Sequence, residues 1–440
     1  VAAVSLSGQG EELNLMVIPN NIDFGAVTVG CASPTTSVTI YNIGNSSVEI
    51  EDVFLDAVRT DPEFTMIGLD HQGSSAVPFT LTSADHFTIQ LRYVPTAIAP
   101  PENSGVLVVQ STAAIDAVLE VPLRGEGTDI SSQTDVFSQL QEPMVDVLWV
   151  IDNSGSMSPQ QQALAANFST FINWAVTLDT DFHIGVIATE INEPETPADF
   201  FNIYPGLLVN YPGFPKVLDN TTPNLVQAFA KNINVGTCCS DEQEAGIHAA
   251  MMALSEPIIS APAANGGLLR EEAKLVIIMV SDESDQSPAP VDFYVDFFKS
   301  IKGSRNDQLM DVSVITGDVP DGCSAGGIYA EAAPRYKFVQ EATGGLFRSH
   351  CSTNWGSTLS DLGLDAFAAR TQFPLSRLAQ QVSITVTVDE GDGPVEVPYD
   401  PEDNGDGWIY DDETNSIIFG DDVVPGRGAT IEVSYETICL

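Results

Sequence analysis

Acidic and hydroxyl side chains closely follow two of the most apolar segments of the chain. Asp152, Ser154 and Ser156 come after the first segment, and Asp282 comes after the segment Leu275–Val280. These side chains all present oxygen atoms, which Mg²⁺ and Ca²⁺ prefer, and they offer no soft ligand to zinc or copper. A divalent cation would also relieve the repulsion between the two carboxylates. We therefore predict that these residues bind one Mg²⁺ or Ca²⁺ ion.

A second acidic stretch, residues 400–406, partly imitates the spacing of a calcium-binding loop. Asp400, Asn404 and Asp406 would supply the oxygen ligands, with Asp411 in the last place. No helices are predicted on either side of this stretch. The sequence therefore favours an acidic β-hairpin turn over a metal site here.

The cysteines lack the paired C-x-x-C spacing of a zinc site, and the five histidines form no H-x-x-x-H or H-E-x-x-H motif. Disulfides are the favoured use of the six cysteines, which are Cys31, Cys238, Cys239, Cys323, Cys351 and Cys439. We expect Cys323 to pair with Cys351, because both fall in loops late in the same predicted domain. The remaining pairs stay open.

The predicted metal ligands belong to a region that alternates apolar strands with helices. The strands are predicted at 145–152, 183–190, 275–282 and 311–318, a pattern that is typical of a doubly wound α/β sheet. The first helix should have Ser158 as its N-cap and Pro159 at its first position. Its buried face should comprise Leu164, Phe168, Phe171, Ile172 and Ala175. Ligands in such sheets gather at the carboxyl ends of the strands, where the predicted metal ligands lie.

The first 127 residues instead show short runs of alternating apolar and polar positions, which predict an antiparallel β-sandwich over 11–127. Residues 4–10 and 121–127 share the pattern V-x-L-x-G-x-G. Because the second copy closes a domain, residues 1–10 are predicted to be the last strand of a preceding repeat. Such a strand would permit self-assembly with a neighbouring chain.

The remaining boundaries follow from changes in composition. Polar residues 128–143 are predicted to be a linker, and residues 144–372 to form the α/β domain. From residue 373 the strand pattern returns, so 373–440 are predicted to form a small β module packed on that domain.

Two family resemblances can be stated on these motifs. The segment I-D-F-G-A-V-T-V-G at 22–30, the N-x-G at 42–44 and the closing G-E-G at 125–127 resemble Ig-like ASH (hydin-type) domains, which implies a spacer role. The D-x-S-x-S motif after a hydrophobic strand resembles the metal-ion-dependent adhesion site (MIDAS) of von Willebrand factor A (vWA) and integrin I domains. The flanking motifs over residues 140–370 resemble a bacterial secreted vWA subfamily.

The vWA resemblance implies a role for each ligand. Ser154 and Ser156 would coordinate the metal directly, and Asp152 and Asp282 directly or through water. The third position, normally a Thr, departs from the family pattern in the loop 236–246. Spacing favours Ser240 to Glu242 and residue type also admits Thr237; we favour Ser240. An acidic residue at this place would favour Ca²⁺ retention.

Composition limits the possible functions. The 440 residues include 16 basic and 61 acidic ones, a net charge of −45 that would repel nucleic acid and anionic lipid surfaces. No apolar run approaches the roughly 20 residues that span a bilayer, so direct membrane insertion is not expected. No nucleophile elbow or phosphate-binding loop is present, and hydrolysis by paired acids such as Asp282 and Glu283 is the least favoured hypothesis.

The leading hypothesis is a non-enzymatic binding or adhesion protein, either extracellular or on a bacterial cell surface. Its metal would keep one coordination position for a carboxylate of a protein ligand or neighbouring subunit. The alternative is a structural stalk or filament subunit, in which the metal only stabilises the vWA head.

Overall fold

The computed structural model describes residues 15–98, 102–113, 117–139, 143–191, 204–237, 244–262, 264–303, 309–412 and 414–440. The chain divides into two compact units. The first comprises Val1–Gln133, Ser376–Ile384 and Ser434–Leu440, and the second comprises Thr134–Leu375 and Thr385–Val433. The strand predicted at 1–10 lies outside the described residues.

The first unit contains two β-sheets. One sheet has the order β1 (Leu15–Ile18), β3 (Thr36–Asn42), β7 (His86–Tyr93) and β5 (Phe64–Asp70). The other has the order β2 (Ile22–Thr28), β9 (Val118–Thr128), β8 (Asn103–Ser111), β4 (Val48–Leu55) and β6 (Phe79–Leu81). This is an Ig-like β-sandwich.

Alternation along the strands builds the core of this sandwich. In β7 the buried residues are every second one, namely Phe87, Ile89, Leu91 and Tyr93, and they join one hydrophobic cluster with residues of both sheets. Successive side chains of a strand point to opposite faces, so one face of β7 is core and the other is not. The alternation predicted for residues 11–127 is confirmed in this strand.

The end of the chain belongs to the first unit, unlike the prediction of one C-terminal module over 373–440. Cys439 forms a disulfide with Cys31, and the Arg377 guanidinium donates a hydrogen bond of 2.7 Å to the carbonyl of Ile130. The two segments that group with the sandwich are held by such covalent and hydrogen bonds. The local strand pattern of residues 373–440 carries no information about partners that are distant in sequence. Sequence analysis therefore did not predict that these two segments belong to the first unit.

The second unit is built on a six-stranded sheet. Its order is β13 (Leu218–Asp219), β12 (Asp181–Ala188), β11 (Met144–Ile151), β14 (Lys274–Val280), β15 (Met310–Thr316) and β18 (Phe347–Ser349). All neighbours are parallel except β12 and β13. The chain reverses its direction of travel across the sheet at β11, so a crevice is expected at the carboxyl ends of β11 and β14.

Helices cover both faces of this sheet. They are α1 (Ser158–Thr177), α2 (Leu225–Asn232), α3 (Gly246–Leu254), α4 (Val291–Ser300), α5 (Pro334–Thr343) and α6 (Trp355–Phe367). Helices α1, α2 and α6 pack with Val147, Trp149 and Ile151 of β11. Helices α3, α4 and α5 lie on the opposite face. Because helices cover both faces, the central parallel strands β11 and β14 are continuous runs of mostly apolar, buried residues. None of the described helices combines the length and apolarity that crossing a membrane requires.

Helix α1 begins differently from the prediction but buries the predicted face. A short 3-10 helix, Gly155–Met157, runs into α1, so Ser158 is its first residue and Met157 takes the N-cap position. The five predicted core residues of α1 are all buried, which confirms the helical periodicity.

The described residues form two further small sheets. One contains β10 (Ser132–Ser138), β24 (Thr430–Glu436), β20 (Thr385–Asp389) and β21 (Val395–Val397), and the other contains β19 (Gln372–Pro374), β23 (Ser416–Phe419) and β22 (Trp408–Asp411). Strand β10 falls in the predicted linker 128–143, which is therefore partly a strand. Its residues are mostly exposed or half-buried because β10 is an edge strand, and this polar composition hides it from sequence analysis.

Candidate metal site

Two neighbouring strands bring the predicted ligands together. Ile151 of β11 lies beside Val280 of β14 in the parallel register. The Asp152 amide donates a hydrogen bond of 3.0 Å to the Val280 carbonyl, so the loops that follow the two strands begin side by side. Asp152 and Asp282 therefore lie at the same edge of the sheet.

Asp152 is fully buried at this edge. One of its carboxylate oxygens accepts a hydrogen bond of 2.6 Å from the Ser154 amide, and the other accepts one of 2.7 Å from the Ser281 hydroxyl. Burial raises the pKa of Asp152 despite these bonds, and repulsion from Asp282 adds to the effect. The carboxylate is thus held in one orientation at a considerable electrostatic cost.

The two serines of the motif lie together beside this carboxylate. The hydroxyl oxygens of Ser154 and Ser156 are 3.1 Å apart. Ser154 is buried and Ser156 is exposed, so the pair reaches from the interior to the surface.

Asp282 leaves one oxygen without a partner. Its side chain is only 6% exposed, and among the described residues nothing donates a hydrogen bond to Oδ1. Buried polar atoms are almost always satisfied, so this orphaned carboxylate oxygen indicates a missing positively charged or donor group. A cation at this edge would satisfy it.

A third carboxylate that sequence analysis missed, Glu244, lies near Asp152. Its carboxylate accepts a hydrogen bond from the Thr189 hydroxyl, which also lies 3.3 Å from the Asn153 side-chain oxygen. Burial, followed by repulsion from Asp152, raises the pKa of Glu244 to about 8. The sequence signal that could have identified Glu244 is its position two residues before Gly246, the first residue of α3.

The structure describes only one of the residues considered for the third ligand position. Ser240 and Glu242 lie outside the described residues. Thr237 is exposed, and its neighbour Gly236 accepts a hydrogen bond of 2.7 Å from the Gln161 side-chain amide. The same nitrogen donates one of 3.0 Å to the Asp152 carbonyl, which links this loop to the site.

The stretch 400–406 forms a hydrogen-bonded turn. The Asp400 carboxylate accepts hydrogen bonds from the backbone amides of Glu402, Asn404 and Gly405, at 3.3, 2.6 and 3.1 Å. Asp406 is exposed. These bonds already satisfy Asp400, as expected for an acidic turn.

Carboxylates alone do not make a metal site in the described part of the chain. No group of three or more His, Cys, Asp or Glu side chains there is arranged to hold a metal ion. A site formed by Asp152 and Asp282 would need the hydroxyls of Ser154 and Ser156 to complete its oxygen ligands.

A cleft of about 290 Å³ opens beside these residues. A hairpin, β16 (Cys323–Ala325) and β17 (Ile328–Ala330), forms one wall. Cys323 is joined to Cys351 by a disulfide, which is the pairing expected from the sequence. The residues lining the cleft are Ser156, Pro159, Gln160, Asp282, Glu283, Gly327, Ile328, Tyr329 and Glu331.

Comparisons with known proteins give only partial likenesses. No family model and no curated protein matches the chain. Similar solved structures include the ASH/PapD-like domain 7 of human CEP192, at 14% identity over 30% of this chain and 96% of that one, with a TM-score of 0.21. WR4, an MSP family member of C. elegans, matches at 10% identity over 26% of this chain and 99% of that one, with a TM-score of 0.19. Proximal thread matrix protein 1 of the mussel byssus matches at 12% identity over 55% of this chain and 52% of that one, with a TM-score of 0.32.

Proposed function

We propose that the second unit is a vWA-type domain whose metal-ion-dependent adhesion site binds one Mg²⁺ or Ca²⁺ ion. Ser154 and Ser156 coordinate the ion directly, and Asp152 and Asp282 directly or through water. The observation that carries the proposal is the buried, unpartnered Oδ1 of Asp282 beside the buried Asp152.

Electrostatics supports a cation at this place. Several carboxylates share a poorly solvated edge of the sheet, and burial, followed by their mutual repulsion, raises the pKa of Asp152 and Glu244. A divalent cation would stabilise the ionised forms of these carboxylates. Negative charge from Glu244 near Asp152 favours retention of Ca²⁺.

The function of such a site is capture of a partner. The ion supplies a Lewis-acidic coordination position that an incoming carboxylate of a protein ligand or neighbouring subunit fills. The cleft beside Ser156 and Asp282 gives that carboxylate access from the surface. We therefore propose a binding or adhesion protein and not an enzyme.

Two disulfides among the described residues, Cys31–Cys439 and Cys323–Cys351, indicate a non-reducing environment. Together with the charge of −45, which suits a salty exterior, this supports an extracellular or cell-surface location.

The test is a pull-down from a surface extract of the source organism, in magnesium and in EDTA. Wild type should capture partners in magnesium only, and Ser156→Ala should capture none. Ser158→Ala, a matched serine change in which the lost hydroxyl only accepts a hydrogen bond from Gln162, should behave as wild type. Recovery of the same partners in every sample would contradict metal-mediated capture and favour the structural stalk or filament.

A further inference from the structure

The hairpin β16–β17 is fixed in place next to the candidate metal site. Its turn residues Gly326 and Gly327 both have positive φ, as a tight two-residue hairpin turn requires. The Glu331 amide, just after the hairpin, donates a hydrogen bond of 2.8 Å to the carbonyl of Asp282. The Cys323–Cys351 disulfide ties the first strand of the hairpin to a buried cysteine. These bonds hold the wall of the cleft beside Asp282.

The lining of this cleft has the chemistry of a cation-binding subsite. Glu283 and Glu331 contribute carboxylates, and among the described residues that line the cleft none is basic. Tyr329 is 63% exposed, so its ring is open to a ligand. Gln160 is 97% buried, since its exposed fraction is 3%, and its Oε1 accepts no hydrogen bond from any described residue.

These features suit a Lys or Arg side chain better than any neutral group. An aromatic face attracts a cation, and carboxylates form charge-assisted hydrogen bonds with it. The unpartnered Gln160 oxygen can accept from a guanidinium, which carries several donors in one plane. An uncharged side chain would not balance the charge of Glu283 and Glu331, and an acidic side chain deep in the cleft would be repelled by them.

We propose that this cleft binds a Lys or Arg side chain of the same partner segment whose carboxylate binds the metal. The inference rests on the proposed function, and it defines the partner as a peptide segment with an acidic and a basic residue close together. Because Ser156 and Asp282 belong both to the cleft and to the metal site, the two partner residues lie within about three positions of each other, given roughly 3.3 Å per extended residue.

The experiment uses immobilised peptides that carry one Glu. At each position up to three residues away, the series places Arg, or citrulline as its uncharged isostere. The whole protein is applied in Mg²⁺ and in EDTA, and retained protein is measured by fluorescence. In Mg²⁺, wild type should retain at least one Arg peptide about 10-fold more strongly than its citrulline counterpart, a ratio typical of one charge-assisted hydrogen bond.

Variants of the cleft distinguish this subsite from general attraction by an acidic protein. Glu331→Gln and Tyr329→Ser change exposed residues and should each reduce the Arg-to-citrulline ratio to about 3-fold or less, whereas Glu271→Gln, an equal charge change outside the cleft, should leave the ratio unaltered. An equal loss in Glu271→Gln would overturn the inference.

The outcomes also separate this inference from the proposed function. Mg²⁺-dependent retention of Arg and citrulline peptides alike would overturn the basic subsite and leave metal-mediated capture intact. If no peptide is retained in a Mg²⁺-dependent manner, both the subsite and the capture mechanism are contradicted.

Discussion

Replacement of Asp152 by Asn should separate metal binding from folding. Asn has the shape of Asp, and its oxygen can still accept the 2.6 Å hydrogen bond from the Ser154 amide. Its amide group can donate to the Ser281 hydroxyl, now 2.7 Å from the carboxylate, if that hydroxyl rotates to accept. The substitution removes a buried carboxyl group whose ionised form is disfavoured by burial. In EDTA, Asp152→Asn should therefore be at least as stable as wild type.

In the presence of metal, wild type should be more stable than Asp152→Asn. An ion that binds only the folded state stabilises it by about 2.7 kcal/mol at 100 times its Kd. For a unit of this size, each kcal/mol corresponds to roughly 2–4 °C in Tm. Wild type should gain roughly 5–10 °C from saturating Mg²⁺ or Ca²⁺, and Asp152→Asn should gain almost nothing.

The assay is thermal unfolding followed by circular dichroism, in EDTA and across a metal titration. Asp219→Asn is the matched control, because the Asp219 carboxylate accepts a hydrogen bond from the Thr221 amide at β13 and takes no part in the proposed site. This control should keep the full metal-dependent increase in Tm. If Asp152→Asn keeps the same increase, Asp152 does not bind the ion and the reasoning is refuted.

Three further predictions concern stability and pH. Replacing Cys323 and Cys351 by Ser should lower the free energy of unfolding by about 3.5 kcal/mol for a disulfide loop of this length, and the Mg²⁺ affinity measured by calorimetry should be retained. In EDTA, wild type should lose stability as the pH rises from about 4.5 to about 8, because the fold favours the protonated form of Glu244; urea unfolding of Glu244→Gln should show a smaller loss over this range. Burial lowers the pKa of His248 to about 4, below its usual 6.5, so the protein should lose roughly 3 kcal/mol of stability from this group as the pH falls from 6.5 to 4. Urea unfolding of His248→Gln should remove that part of the acid sensitivity, and an unchanged profile would contradict the assignment.

Local periodicity predicted the elements that carry the candidate site. The apolar run before Asp152 became the fully buried part of β11, and the predicted face of α1 is buried. These patterns are visible in the sequence because each depends on neighbours only two to four residues away. Asp152 and Asp282 lie at the same edge of the sheet because each follows the carboxyl end of one of two neighbouring parallel strands.

Features that depend on distant partners could not be predicted. Cys31 and Cys439 are 408 residues apart in sequence, and no pattern around either identifies the other. Glu244 looks like any helix-flanking acid until the fold brings it near Asp152. Strand β10 is mostly polar, since an edge strand has little apolar surface to bury.

The most direct test of the account is the position of the ion itself. Crystals grown with Mn²⁺ in place of Mg²⁺ should show one anomalous scattering peak at the carboxyl ends of β11 and β14. We predict that it lies at about 2.0–2.4 Å from the hydroxyl oxygens of Ser154 and Ser156. A peak at the turn 400–406 with none at the serines, or no peak in crystals soaked well above the measured Kd, would contradict the proposed site.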